Sequence, residues 1–121
     1  MSTAIIGITE PGKMRAELVE LARRLDAGEK LPEADYRLNF ASAGQLFSEL
    51  TPRRLALLED LKLHGACSIY ALAKRLRRNY SNVHTDVARL LEHDLVAKDE
   101  KGRVFVPWED IRISVSLAHA A

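Results

Sequence analysis

"SIYALAKRLRRNYSNVHTDVARLLEHDLV", residues 68–96, sets two runs of helical periodicity on either side of a basic joint. In the first run Ile69, Leu72, Ala73 and Leu76 recur at the spacing of one helix face, behind Ser68 as N-cap. In the second, Ser81 is the expected cap, and Val83, Val87, Leu90 and Leu91 fall at offsets of zero, four, seven and eight. Each helix is too short to stand alone in water, so both apolar stripes require a further surface to bury them.

That surface lies just upstream. In "TPRRLALLEDLKLHG", residues 51–65, Thr51 reads as an N-cap, Pro52 occupies the first helical position, Leu55, Leu57, Leu58 and Leu61 make the stripe, and Gly65 stops the helix. Downstream, "LVAKDEKGRVFVP" reads as a strand, a charged turn ending at Gly102 and a second strand, which is a hairpin. The order helix, helix, joint, helix, hairpin describes a winged helix-turn-helix, in which the second helix of the pair enters the DNA major groove and the hairpin tip reaches phosphates. The predicted fold class is therefore mainly α with small β, an α+β winged helix-turn-helix with extensions at both ends.

The flanks supply those extensions. "AIIGIT", residues 4–9, reads as a strand, and Met14, Leu18, Leu21, Ala22 and Leu25 make one face of a helix over residues 13–27 that Gly28 ends. A polar turn containing Pro32 leads to "YRLNFA", where Tyr36, Leu38 and Phe40 alternate as in a strand, and Ser42 caps a short helix holding Leu46, Phe47 and Leu50. At the other end "IRISVSL" places Ile111, Ile113, Val115 and Leu117 on one side of a terminal strand. The expected organisation is residues 1–44 as a strand-helix-strand extension for dimerisation or partner binding, residues 45–108 as the DNA-binding domain, and residues 109–121 as a C-terminal strand and tail.

Charge is distributed to match. Residues 1–50 carry six Lys/Arg against eight Asp/Glu, residues 51–104 carry eleven against seven, and residues 105–121 carry one against two, so the overall +1 hides a local excess in the central segment. A local basic excess beside a mildly acidic remainder implies an anionic partner for one part of the molecule. On the helix after the joint, burial of the apolar stripe leaves Asn82, His84, Thr85 and Arg89 outward, side-chain types that hydrogen-bond base edges or phosphates. Asn79, Tyr80 and Ser81 lie at its start, within reach of the DNA backbone. Arg75, Arg77 and Arg78 bring positive charge to the joint, and Lys98, Lys101 and Arg103 bring it to the hairpin. Asp86 would be repelled by phosphate and is expected to pair with a neighbouring cation, and Trp108 to anchor the hairpin to the body.

Other chemistries find less support. His64 and Cys67 could form one pair of metal ligands, but no second close pair accompanies them, so no metal or cofactor is expected. No glycine-flanked nucleophile, phosphate-cradling loop or carboxylate cluster points to catalysis. The single cysteine allows no internal disulfide, the start has no secretory pattern, and no apolar run approaches the ~18 residues a membrane span needs, so a cytoplasmic protein is expected.

"LTPRRLALLEDL", "SIYALAKRL", "NYSNVHTDVARLLEHDLV" and "GRVFVPWEDI" resemble a small family of prokaryotic winged-helix regulators related to the MarR type, which includes antitoxin-repressors that accompany TumE-type toxins. The resemblance implies a dimeric, cofactor-free transcriptional regulator that binds an inverted-repeat operator in double-stranded DNA. It implies groove-facing roles for Asn82, His84 and Thr85, a wing role for Arg103, and a toxin as a further partner. This sequence departs from that family's pattern at two turns, where Arg77-Arg78 and Asp94 stand in place of glycines. The competing reading is a protein-interaction module, in which the N-terminal helix or the "YRLNFA" strand captures a toxin or other partner and DNA binding is secondary. Apolar faces on the two extensions favour a homodimer, whose two reading helices would lie about one turn of DNA apart, ~34–36 Å.

Overall fold

The computed structural model describes residues 2–9, 19–20, 22–23, 26–28 and 36–117. The chain is a mixed α and β fold that divides into two compact units, residues 47–109 and residues 2–46 taken with 110–121.

The first unit is helical with a small hairpin. α1 (Ala43–Glu49), whose start is capped by Ser42 Oγ accepting from Gln45 N–H at 3.1 Å, begins among the residues of the second unit and ends among those of the first, where the side chain of Thr51 caps α2 (Pro52–His64) and Gly65 closes it at φ 83. Ser68 caps α3 (Ile69–Leu76) in the same manner. Each of these caps satisfies an amide that the first turn of a helix leaves unpaired. The next helix, α4 (Tyr80–Glu92), starts before the expected Ser81: its N-cap is Asn79, whose Oδ1 accepts from the N–H and the hydroxyl of Ser81. Two cap-type residues stand close together here. Asn79, extended at φ -63 and ψ 135, takes the position, and Tyr80 becomes the first helical residue instead of lying outside.

The core of this unit takes Leu57, Leu58 and Leu61 from α2, Leu72 and Ala73 from α3, and Val83, Val87 and Leu90 from α4, with Leu95, Val96 and Val104 beneath the hairpin; all are buried. Burying each of these Leu or Val side chains contributes about 2 kcal/mol. Leu55, Ile69, Leu76 and Leu91, expected in the same stripes, are only half-buried. Strands β3 (Ala97–Lys98) and β4 (Val104–Phe105) pair antiparallel, and Gly102 turns the hairpin at φ 77. Cys67, in the α2–α3 loop, exchanges both backbone hydrogen bonds with Val104, at 3.1 and 2.8 Å, so the hairpin root is sewn to the helices. Trp108 adds a second tie. Its Nε1 donates to the Asp94 carbonyl at 2.8 Å, and its own carbonyl accepts from Lys62 Nζ at 2.9 Å.

In the second unit, β1 (Thr3–Ile8) lies between β2 (Tyr36–Phe40) and β5 (Asp110–Ile113), parallel to both, in the registers Ile6↔Leu38 and Ile6↔Ile113. Ala4, Ile6 and Phe40 are buried. Parallel neighbours need a crossover connection, and between β1 and β2 residues 19, 20, 22, 23 and 26 are helical. The remaining stripe residues of the expected helix, Met14, Leu18, Leu21 and Leu25, lie outside the described residues, as does Pro32 in the polar turn. The sheet draws the two outer segments into one unit. The terminal strand is shorter than its alternation suggested: it ends at Ile113, which is 40% exposed, and Leu117 is 71% exposed. No helix among the described residues is long and apolar enough to cross a membrane.

Candidate functional site

Helix α4 has one face locked and one open. Val83, Val87 and Leu90 hold it in the core, while Ser81, Asn82, His84 and Thr85 are exposed across its first two turns. Thr85 donates its hydroxyl to the Ser81 carbonyl at 3.0 Å, which leaves its oxygen lone pairs and methyl group outward. The Ser81 hydroxyl is spent on Asn79 at 2.6 Å, so Asn79 and Ser81 serve the helix start first and any ligand second. Tyr80, half exposed, tilts against His84 with ring centroids 6.0 Å apart and orients that imidazole. The Asn82 amide and the His84 ring have no hydrogen-bond partner among the described residues and are open to one.

The cations separate into two groups that charge counting did not distinguish. Arg75 is bound to Asp60 at 2.6 Å and also donates to Cys67 Sγ at 3.3 Å, and the Asp60 hydrogen bond raises its pKa. Arg78 and Arg54 grip the two oxygens of Asp86 at 2.7 and 3.0 Å, and all three side chains are largely buried. Burial pushes the Asp86 carboxyl up, but the hydrogen bonds from Arg78 and Arg54 outweigh it and leave the group lowered. Arg89, expected to face DNA, forms a fork on Glu49 and reaches Glu92 at 2.9 Å. The Arg89 hydrogen bond, opposed by burial and aided by His93, holds Glu49 at about 2. In the hairpin Arg103 is bound to Asp99 at 2.7 Å, and Asp99 also accepts the N–H of Lys101 and of Arg103. The turn is thus held by an acidic residue within a tip that counted as basic.

The second group is unpaired. Arg53, Arg77, Lys98 and Lys101 are exposed and form no ion pair among the described residues. Arg77 stands at the joint with φ 54 and ψ 46, a left-handed cap whose N–H bonds the carbonyls of Ala73 and Lys74, and Asp94 takes φ 59 after α4. These are the two positions where glycine was the expected residue.

Asn82, His84, Thr85 and Arg77, with Lys98 and Lys101 on the hairpin, all belong to one compact unit and are exposed. Arg75, Arg78, Arg89 and Arg103 also belong to that unit but are tied to carboxylates. Sequence reasoning missed Arg53, although the Thr-Pro start of α2 marks it as a first-turn residue whose side chain leaves the helix toward solvent. It also missed Glu49 and Asp60 as arginine partners, since those contacts join residues far apart in the chain. Among the described residues no cluster of three or more His, Cys, Asp or Glu side chains is placed to hold a metal ion.

The profile of a protein family described as HVO_A0114 matches residues 49–113, the span from the end of α1 through β5. No curated protein and no solved structure matches the chain.

Proposed function

The chain belongs to the HVO_A0114 family through residues 49–113, and we propose that α2, α3, α4 and the β3–β4 hairpin in this span form a winged helix-turn-helix that binds duplex DNA as a sequence-specific transcriptional regulator. One observation carries the reading: α4 is fixed by three fully buried apolar residues on one side and presents Asn82, His84 and Thr85 on the other. A helix held this rigidly can insert into the major groove without losing order. Asn82 there matches the paired donor and acceptor of an adenine edge, and the Thr85 methyl suits thymine.

Phosphates fall to the unpaired cations. Arg77 at the joint and Lys98 and Lys101 on the hairpin meet the backbone on either side of the groove, each neutralised phosphate steepening the salt dependence of binding. Arg75, Arg78, Arg89 and Arg103 contribute to the local field and hold the reading helix and hairpin in place through their carboxylate partners. In this reading the protein is a homodimer on an inverted repeat and represses by occupying a promoter. Its resemblance to antitoxin-repressors adds a toxin as partner. A second reading, capture of a protein segment, is favoured by the sheet: among the described residues β2 and β5 are edge strands, which can accept an added strand.

The test is a mobility-shift titration on selected DNA sites. Asn82→Ala and His84→Ala should each flatten discrimination between matched and mismatched sites, by about 1–3 kcal/mol at the affected base. Lys101→Ala should weaken all sequences alike. Absence of salt-dependent DNA binding by the intact protein would reject the reading in favour of the protein-capture module.

A further inference from the structure

Beside the outward face of α4 lies a cleft of about 620 Å³ whose floor is the N-terminal turn of α2 and whose opposite wall carries Asn82, Thr85 and Asp86. Its chemistry is one-sided. Three arginines line it, Arg53, Arg54 and Arg78, against one lining carboxylate, Asp86, which Arg54 and Arg78 already share, while Arg54 also reaches the Glu49 carboxylate at 3.4 Å from outside the lining. Arg53 has no anionic partner among the described residues and is exposed at the rim. Arg78 keeps Nη1 buried with no acceptor, so donors exceed acceptors even in the wall itself. The floor adds to this: Pro52 has no N–H, Thr51 Oγ1 takes the N–H of Arg54, and the N–H of Arg53 is left as an unpaired first-turn donor at the positive end of a helix of 13 residues.

We propose that this cleft receives a phosphodiester group of the DNA backbone, with the Arg53 guanidinium and backbone N–H as its principal ligands. The inference rests on the reading of α4 as a groove-inserted helix and extends it. Asn82 and Thr85 belong both to the reading face and to the cleft wall, so a strand bordering the groove passes the cleft mouth as those residues meet its bases. A phosphate there supplies the acceptor that Arg53 lacks, and a tetrahedral oxyanion matches a forked guanidinium beside a helix N-terminus. Carboxylates already hold Arg54 and Arg78 in position, so the site is preorganised and Arg53 alone must be ordered on binding.

The experiment is fluorescence anisotropy of the full chain on a labelled duplex across a salt series, with wild type, Arg53→Gln and Arg53→Glu. The expected result is an affinity loss of about five- to tenfold for Arg53→Gln on every sequence, a salt slope shallower by about 1, and a larger loss for Arg53→Glu. Thermal melts should not fall for either variant, since Arg53 is exposed and unpaired and an acidic side chain at a helix N-terminus is favourable. If wild type binds and both variants match its affinity and slope, the cleft inference is overturned while the DNA-binding reading stands. If wild type binds no duplex at any salt, both fall. If inorganic phosphate shifts the Arg53 amide resonance while the variants bind DNA normally, the cleft is a site for free anions and the proposal is again overturned.

Discussion

Under the DNA-binding proposal, replacing Arg77 with glycine should make the protein more stable and weaken its hold on DNA at once. Arg77 ends α3 in the left-handed region, at φ 54 and ψ 46. An L-residue there carries strain of about 1–2 kcal/mol, and glycine removes it at an entropic cost of about 0.5–1 kcal/mol in the unfolded chain. The net gain is about 0.5–1 kcal/mol, a rise of about 2–6 °C in Tm for a domain of this size. The backbone bonds of Arg77 to the Ala73 and Lys74 carbonyls persist, because they do not involve the side chain. Asp94→Gly is the matched control, with the same strain at φ 59 and a carbonyl contact to Trp108 that glycine keeps. Both variants should melt higher by circular dichroism, but only Arg77→Gly should lose DNA affinity in anisotropy titrations. Arg77→Asn, which tolerates the left-handed region, should lose affinity with little change in stability. A Tm for Arg77→Gly at or below wild type would refute the strain argument, and unchanged affinity would remove Arg77 from the phosphate contacts.

Asp86→Ala leaves Arg78 largely buried without its carboxylate and Arg54 with Glu49 alone, and chemical denaturation should register a loss of about 3 kcal/mol. Adding Arg78→Met should recover part of that loss, because one buried charge is then removed. Glu49 titrates at about 2 in the folded chain against an ordinary 4.5. A lowered folded pKa stabilises above the unfolded value, and that stability disappears as pH falls through the folded one. Glu49→Gln should therefore be less stable than wild type at neutral pH, with the gap closing between about pH 4.5 and about pH 2 in acid-denaturation curves.

Much of the first unit could be read locally because its signals are local. Ser42, Thr51, Ser68 and Gly65 punctuate the helices as their side chains and conformational freedom require. The start of α4 was misplaced because Asn79 and Ser81 are both competent caps, and only the backbone angles at Asn79 decide between them. The terminal strand was overestimated for a different reason: alternation at Ile113, Val115 and Leu117 measures the capacity to pair, whereas the pairing itself ends at Ile6↔Ile113 although β1 continues to Ile8. The arginines mark the limit of counting charge along a chain. Asp60 lies 15 residues from Arg75, and Asp86 lies 32 from Arg54, so nothing short of the fold reveals which cations are already bound. Asp86 does take cationic neighbours, because the reason to expect them is chemical and does not depend on sequence distance.

The register that sets Thr3 beside Asp110 has a consequence for how the protein is made. β1 leaves the ribosome long before β5, and the whole of residues 47–109 is synthesised between them. The helices and hairpin draw their contacts from within residues 47–109 and can condense while translation continues, whereas one side of β1 waits for the last strand. Synthesis rate thus sets how long an unpaired β edge stays exposed, and slow translation across residues 47–109 should favour aggregation through β1 more than any defect in the helical unit.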